Sequence, residues 1–229
     1  MFYTLKERVF SANLLLKEYN LIVLTWGNVS EIDREQNAVA IKPSGVEYSD
    51  LKISDIVVTD LNGKVLEGEL NPSVDLPTHL ELYRKYKAIR GITHTHSTFA
   101  TSFAQAGREI PALGTTHADH FYGSIKCTRC LTEAEVKKDY EINTAKAIME
   151  KIGDEAMEVP AILCRNHGVF TFGKSAAESV KNALILEETA KMAYLTFELN
   201  KKARHIDRYV LDTHYNRKHG ENATYGQKK

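Results

Sequence analysis

Apolar residues recur every three to four positions in several stretches of the chain, which is the spacing of helices that bury one face. In the first stretch, Leu5, Val9 and Leu16 follow this spacing. Pro77 suits the first turn of another helix, and Thr132 is a suitable N-cap residue for a third. These patterns predict helices over residues 3–19, 77–86, 98–106, 132–152, 175–201 and 206–219.

Short apolar runs rich in β-branched residues predict strands between these helices. Two pairs of runs flank tight-turn sequences at residues 62–63 and 166–168, and each pair predicts a β-hairpin. The runs lie at residues 21–25, 39–42, 55–60, 64–67, 89–96, 161–164 and 169–172. Hairpins mixed with helices predict one α/β domain over residues 1–229, with a mixed or mainly antiparallel sheet covered by helices.

Composition and charge argue against several classes of protein. The 229 residues carry 30 Lys+Arg and 30 Asp+Glu, so the formal net charge is zero, whereas chains that bind nucleic-acid phosphates are normally basic. A hydrophobic content of 43% is typical of a globular protein rather than a disordered one. No run approaches the ~20 apolar residues of a membrane-spanning helix. We therefore expect a cytoplasmic protein that binds neither nucleic acid nor membranes.

Two local features each allow two interpretations. Cys127 and Cys130 form a lone CxxC motif, which suits a redox pair or half of a zinc site, but no second pair exists and incidental thiols are the favoured interpretation. The segment 201–229 holds eight Lys/Arg and three Asp/Glu. It is either a solvated helix and tail or a basic lid over an anionic ligand.

Histidines provide the sharpest chemical signal. His94 and His96 lie two positions apart in a predicted strand, so both point to the same face and could hold one divalent ion, although surface pairs of this kind also arise by chance. Asp75 in a loop and His167 at a tight turn complete a set of three nitrogens and one oxygen, which suits zinc or a similar metal. His79 is a competing ligand, but its position in a helix favours a packed histidine.

Other polar segments are candidates for phosphate binding and proton transfer. Three loops at residues 26–30, 42–45 and 72–74 offer backbone N–H groups, hydroxyls and an amide that could hold a phosphate, and each is otherwise an ordinary turn. Asp119 ends a polar stretch and is either a general acid/base or a helix or turn cap. Tyr225 matters only if the tail is docked.

The ordered set of these motifs resembles the class II aldolase superfamily, and within it the L-ribulose-5-phosphate 4-epimerase family, nearly from end to end. The motifs are TWGNVS at 25–30, IKPSGV at 41–46, DLPTH at 75–79, GITHTHS at 91–97, GTTHAD at 114–119, HG at 167–168, HYNRKHG at 214–220 and YGQ at 225–227. Each motif is weak alone, and their order along the chain is specific.

The resemblance implies a three-layer α/β/α fold with a central mixed, mainly antiparallel sheet. It implies a homotetramer with active sites at subunit interfaces, where segment 201–229 would dock. The implied ligands of Zn²⁺, with Mn²⁺ or another divalent metal as alternatives, are Asp75, His94, His96 and His167. The implied acid/base residues are Asp119 and Tyr225, with Tyr225 reaching a neighbouring subunit's site. The implied phosphate-binding residues are Gly27, Asn28, Lys42, Ser44, Gly45, Ser73 and Val74.

The implied activity is the interconversion of two pentulose 5-phosphates, L-ribulose 5-phosphate and D-xylulose 5-phosphate, by cleavage and re-formation of the C3–C4 bond. Enzymes of this kind act in arabinose, ascorbate and L-xylulose routes. A class II sugar-phosphate aldolase is the alternative. A related dehydratase and a metal-free scaffold of the same fold are less favoured. Aldolase relatives usually carry Glu at the position of Asp75, and that difference favours the epimerase.

Two segments depart from the family pattern. Val74 stands where relatives often have a second serine, so one hydroxyl is lost while the backbone N–H is retained. Arg165 and Asn166 precede His167, where relatives often have His-Ser or Asn-Asn. Arg165 therefore adds a positive charge near the metal site unless its side chain points away.

Overall fold

Eight α-helices and seven β-strands occur in the residues that the computed structural model describes, which are 1–154, 156–220 and 223–224. The helices are α1 (Tyr3–Glu18), α2 (Leu76–Lys85), α3 (Thr98–Ala106), α4 (Thr115–Ala118), α5 (Glu133–Lys137), α6 (Tyr140–Ile152), α7 (Ala176–Leu199) and α8 (Arg208–His219). The strands are β1 (Asn28–Asp33), β2 (Ala38–Ile41), β3 (Val57–Asp60), β4 (Val65–Glu67), β5 (Gly91–Thr95), β6 (Ala161–Leu163) and β7 (Val169–Gly173).

The strands form one sheet in the order β4-β3-β2-β1-β5-β7-β6. Every neighbouring pair is antiparallel, which confirms the predicted mainly antiparallel sheet and both predicted hairpins. The central strands β1 and β5 pair so that Asn28 lies opposite His94. This register brings a predicted phosphate-binding residue next to a predicted metal ligand, although 66 positions separate them along the chain.

Helices cover both faces of the sheet, so the predicted three-layer α/β/α arrangement is confirmed. Alternate residues of a strand point to opposite faces. On β2, Val39 and Ile41 join the cluster that contains the buried residues of α2 and α6. Ala38 and Ala40 pack instead with the buried residues of α1 on the other face. Helix α7 lies on the same side as α1 and packs against β5 and β7.

The strand predicted over residues 21–25 is wrong. This segment is an irregular loop in which Val23 and Leu24 are exposed, and Leu24 adopts a φ of 52°, which no strand residue has. The first strand is β1, which the pattern does not predict because Asn28 and Ser30 are polar yet buried. Their side chains bond inside the protein, so burial at this strand does not follow hydrophobicity.

The single helix predicted over residues 132–152 is two helices, α5 and α6. Asp139 adopts a left-handed φ of 58° between them, which ends one helix and starts the other. The predicted N-cap is confirmed, because the Thr132 hydroxyl accepts a hydrogen bond from the Glu135 backbone N–H. Within the described residues, the helices are too short or too polar to cross a membrane.

Candidate metal centre

Three histidines meet at one end of the central strands. His94 lies near the end of β5, His96 follows that strand, and His167 lies in the turn between β6 and β7. One ring nitrogen of each lies within 4.8 Å of the others. The ring centroids are separated by 4.9 Å for His94–His96, 4.8 Å for His94–His167 and 5.1 Å for His96–His167. The structure therefore brings together all three histidines proposed as ligands.

The ring of His94 is fixed by its surroundings. Its Nδ1 lies 2.9 Å from the Val169 carbonyl oxygen, and since a carbonyl only accepts, Nδ1 carries the proton and donates. The lone pair is then on Nε2, which lies 3.0 Å from Nε2 of His96. The ring also stacks on Phe170, with centroids 4.3 Å apart. A hydrogen bond of this kind is the usual device that orients a metal-binding histidine.

The charge state of the cluster suits a divalent cation. Burial, together with the neighbouring histidines, lowers the pKa of both His96 and His167 to about 4. At neutral pH both rings are uncharged and have lone pairs available. His167 Nδ1 is also buried without a hydrogen-bond partner among the described residues. Nitrogen ligands of this number suit zinc or another borderline divalent metal.

The glycine after His167 allows the turn to approach the other two histidines. A Cβ atom at Gly168 would lie 2.7 Å from the Thr95 carbonyl oxygen, 2.8 Å from His96 Cδ2 and 3.0 Å from His94 Cε1. The left-handed φ of 62° at Asn166 makes the tight turn, and asparagine tolerates this conformation. No pattern in the sequence identifies this requirement at Gly168, because it depends on contacts between two strands.

Asp75 faces the same cavity from the start of α2. Its Oδ2 accepts a hydrogen bond of 2.7 Å from the Asn28 amide, which also donates to the Ser73 hydroxyl at 3.0 Å. Burial by itself would raise the pKa of the Asp75 carboxyl. The imidazoles of His94 and His79 and the bond from Asn28 outweigh it, so the pKa is lowered and the carboxyl is ionised. Asp75 lies beside the three histidines but outside their group of mutually close nitrogens.

The metal-binding and phosphate-binding candidates line one cavity of about 290 Å³. All seven residues that the resemblance assigns to the phosphate border it, together with Asp75 and the three histidines. Gly27 has a φ of 81°, and a Cβ there would lie 2.9 Å from the His94 carbonyl oxygen, so only glycine suits this position. The predicted phosphate loops and metal residues therefore share one cavity.

In the loops predicted to bind phosphate, two backbone N–H groups and the lysine already have hydrogen-bond partners within the protein. The N–H groups of Ser44 and Ser73 donate to the Asn71 and Lys42 carbonyl oxygens, which join the two loops. Lys42 Nζ donates to the Val46 carbonyl oxygen at 2.7 Å, and burial lowers the pKa of Lys42 to about 8. Lys42 thus stabilises the loop that carries Ser44 and Gly45. The Ser44 hydroxyl remains a side-chain donor suited to a phosphate, whereas the Asn28 amide already donates to Ser73 and Asp75.

Asp119 lies outside this cavity and is held by α8. His214 Nδ1 lies 2.9 Å from its Oδ1, Arg217 Nη2 lies 3.0 Å from both oxygens, and Lys218 Nζ lies 3.1 Å from Oδ2. Burial alone would raise the pKa of Asp119, but these contacts lower it to about 2. The carboxylate is a weak base in this arrangement. Its catalytic role stays a prediction, and so does that of Tyr225, which lies outside the described residues.

We expect the docking of α8 to weaken as the pH is lowered from about 4 to about 2. The Asp119 carboxyl has an ordinary pKa of 3.8 and a folded-state pKa of about 2. Because the folded chain holds this proton less tightly than the unfolded chain, the interaction stabilises fully above pH 3.8 and is lost as the pH falls through 2. Hydrogen-exchange protection factors of α8 measure this change. Asp119→Asn should lower protection at neutral pH and remove the acid-dependent step. A pH-independent protection factor in the unsubstituted protein would contradict this assignment.

Three other residues singled out in the sequence are placed by the structure. His79 is fully buried in α2 and is not part of the three-histidine group. The Arg165 guanidinium lies against Gly107, where an added Cβ would meet its Cζ at 2.7 Å, so this side chain points toward the end of α3. Cys130 is an exposed free thiol, and the interpretation of the CxxC motif as incidental stays a prediction.

The comparisons with known proteins agree with one another on the family. The sequence profile described as the Class II Aldolase and Adducin N-terminal domain matches residues 7–194. The solved structure of an L-fuculose 1-phosphate aldolase is 28% identical, with 92% of this chain and 94% of that chain covered and a TM-score of 0.79. YgbL from Klebsiella pneumoniae, named as a candidate aldolase, epimerase or decarboxylase, is 22% identical, with 92% and 97% covered and a TM-score of 0.74. The L-fuculose-1-phosphate aldolase of Thermus thermophilus is 24% identical, with 89% and 100% covered and a TM-score of 0.68.

Proposed function

Because this chain belongs to the Class II Aldolase and Adducin N-terminal domain family, we propose that it is a metal-dependent epimerase of pentulose 5-phosphates. The proposed reaction interconverts L-ribulose 5-phosphate and D-xylulose 5-phosphate. The observation that carries the proposal is the shared cavity, in which three histidines and Asp75 lie beside loops suited to a phosphate. A sugar phosphate has the two groups that such a cavity would bind, an anionic phosphate and chelating oxygens.

The residues around the cavity fit a divalent metal. His94, His96 and His167 supply neutral imidazole nitrogens, and Asp75 supplies a negative charge that partly neutralises a cation. When bound, such an ion supplies Lewis-acid polarisation of the substrate carbonyl. Zinc is the proposed ion, with manganese or another divalent metal as the alternative.

The chemistry of the substrate requires bond cleavage. The stereocentre at C4 is not adjacent to the C2 carbonyl, so removal and return of a proton at C4 cannot invert it. Loss of the C4 hydroxyl proton allows the C3–C4 bond to break, which gives the enediolate of dihydroxyacetone and glycolaldehyde phosphate. Rotation of the aldehyde presents its other face, and re-formation of the bond returns the proton to the C4 oxygen with inverted configuration.

In this proposal the residues of the chain retain the reactive fragment and move the proton. The phosphate loops around Asn28, Ser44 and Ser73 would hold glycolaldehyde phosphate while its carbonyl turns, so that binding energy remote from the reacting bond prevents release. Asp119 and Tyr225 are the proposed proton partners on the two faces. Since Asp119 lies outside the cavity of its own chain, we propose that both groups reach the site of a neighbouring chain in a homotetramer.

A sugar-phosphate aldolase is the second candidate. The 28% identity to an L-fuculose 1-phosphate aldolase over most of both chains favours it. Such an enzyme would cleave the same type of bond and release both fragments. The aspartate at position 75, where aldolase relatives usually have glutamate, and the motif that ends at Asp119 support the epimerase instead.

Purified protein with added zinc or manganese is expected to convert L-ribulose 5-phosphate into D-xylulose 5-phosphate, and the reverse. Carbon-13 NMR of each substrate measures both epimers and any released fragment in one sample. Metal-stripped protein serves as the control and should regain activity when the metal is returned. Net release of fragments, or cleavage of L-fuculose 1-phosphate without epimerisation, would identify the aldolase. Inactivity with every divalent metal would contradict both candidates.

A further inference from the structure

His96 lies in a short connection between a strand and a helix, and α7 contacts both sides of this connection. The connection consists of His96 and Ser97, between the last residue of β5 and the first residue of α3. On the strand side, the hydroxyl oxygens of Thr93 in β5 and Ser179 in α7 lie 2.7 Å apart. On the helix side, α7 supplies Glu187, whose carboxylate bonds to the first turn of α3. The backbone of His96 therefore lies between two contacts with one long helix.

The first turn of α3 is capped by Glu187 rather than by its own N-cap residue. A helix begins with N–H groups that have no partner inside the helix. Glu187 Oε1 accepts the Phe99 N–H at 2.8 Å, and Oε2 accepts the Ala100 N–H at 2.9 Å. Serine commonly caps a helix, yet the Ser97 hydroxyl makes no capping bond and is buried without a hydrogen-bond partner among the described residues. The Glu187 carboxylate thus replaces the Ser97 side chain as the cap.

These two hydrogen bonds restrict α3 in a direction that its apolar contacts do not. Ala100 and Ala104 of α3 pack in the same buried cluster as Leu186 and Ala190 of α7. Apolar packing is non-directional, so by itself it leaves some freedom for α3 to slide along its own axis. The bonds from Glu187 are directional, and a carboxylate is favoured at the partly positive start of a helix. They therefore fix where the first turn of α3 begins.

We propose that Glu187 is a positioning residue of the metal centre, which holds the start of α3 and through it the backbone that carries His96. Because His96 and Phe99 are close in the chain, a shift of the first turn would move the His96 ring relative to that of His94. The His94 ring would stay in place, since its bond to the Val169 carbonyl oxygen holds it. This inference rests on the metal site of the proposed function but not on the reaction that the site catalyses.

Two neighbouring glutamates provide a test and its matched control. Glu187→Gln keeps the size of the side chain but leaves one acceptor oxygen and no charge for the two N–H groups. Glu188→Gln removes the same charge from the adjacent, exposed position. Hydrogen exchange of the Phe99 and Ala100 amides measures the cap, and competition with a chelator measures the affinity of the full-length chain for Zn²⁺. In Glu187→Gln we expect amide protection to fall about fivefold and Zn²⁺ to bind about tenfold more weakly, whereas the control should change neither.

The absorption spectrum of the Co²⁺-loaded chain separates a positioning role from a purely structural one. The visible bands of bound Co²⁺ depend on the geometry of its ligands, so displacement of His96 should change them. A less stable protein with an unchanged site should keep the same bands, and unfolding of the metal-free protein is measured in parallel. Lower amide protection with unchanged Zn²⁺ affinity and Co²⁺ bands would overturn the proposal. So would unchanged protection in Glu187→Gln or an equal loss of affinity in Glu188→Gln.

Glu187→Asp is the second variant, in case Glu187→Gln does not fold. It keeps the charge but is shorter by one methylene, so we expect lower amide protection and weaker Zn²⁺ binding here too. Unchanged Zn²⁺ affinity in a Glu187→Asp chain that has lost protection would overturn the proposal. A chain that binds Zn²⁺ but does not epimerise pentulose phosphates would contradict only the proposed reaction. Equal Zn²⁺ affinity in all variants would contradict only the positioning role.

Discussion

Replacing His96 with asparagine is expected to remove metal binding together with catalytic activity. The His96 ring lies at the end of β5, with its Nε2 facing His94 Nε2 at 3.0 Å. Asparagine is too short to bring a donor atom to that position. The backbone is expected to tolerate the change, because the His96 side chain is only partly buried and its one hydrogen bond among the described residues is to His94.

The expected loss of activity follows from the contribution of the metal ion to transition-state stabilisation. A Lewis-acid metal stabilises the transition state by several kcal/mol, and about 1.4 kcal/mol corresponds to a factor of ten, so kcat/KM should fall about 10³-fold or more. Elemental analysis of the purified variant and a chelator competition measure metal content and affinity. Thermal unfolding of the metal-free proteins should differ little between the variant and the unsubstituted chain. A variant that keeps full metal content and activity would remove His96 from the site.

Replacing Gly168 with alanine is expected to displace the histidines without changing any ligand. The added Cβ would approach the Thr95 carbonyl oxygen to 2.7 Å, and backbone of a central strand cannot move away easily. It would also press on the His94 ring, which its bond to Val169 and its stacking on Phe170 hold in place. The turn that carries His167 must therefore shift outward.

We expect Gly168→Ala to lower metal affinity about 100-fold and the free energy of unfolding by about 1–3 kcal/mol. Chelator competition and denaturant unfolding measure the two quantities. Gly114→Ala is the matched control, because a Cβ there meets no atom within 4 Å and the backbone φ of −160° is open to any residue. The control should change neither metal affinity nor unfolding appreciably. Normal metal affinity in Gly168→Ala would show that the close approach at the turn is not needed.

The roles of His96 and Gly168 differ in how far the local sequence reveals them. The two-residue spacing of His94 and His96 in a strand follows from local geometry, and the structure has both on one side near the end of β5. Gly168 follows a histidine in the sequence, but its importance appears only when the β6–β7 turn lies against β5. The same is true of Asn28, whose contact with Asp75 depends on the pairing of β1 with β5.

Secondary structure followed the sequence where apolar residues were the buried ones. The helix predicted over residues 98–106 matches α3 residue for residue, because its apolar face packs into the core. Strand β1 was missed because its buried positions include Asn28, Ser30 and Glu31, which are satisfied by hydrogen bonds to other elements. A pattern of hydrophobic residues cannot reveal polar side chains that are buried because they form hydrogen bonds to other elements or line a binding site.

The amino-acid sequence by itself determined most of the helices and strands, both hairpins, the chemical types available for a metal and a phosphate, and the family resemblance. Short-range geometry is enough for these, since strand and helix periods act over a few residues. Only the tertiary structure decided that Glu187 of α7 caps α3 beside His96 and that α8 holds Asp119 away from the cavity of its own chain. Those contacts join residues up to 100 positions apart. They depend on how the layers pack, which the local pattern of residues does not specify.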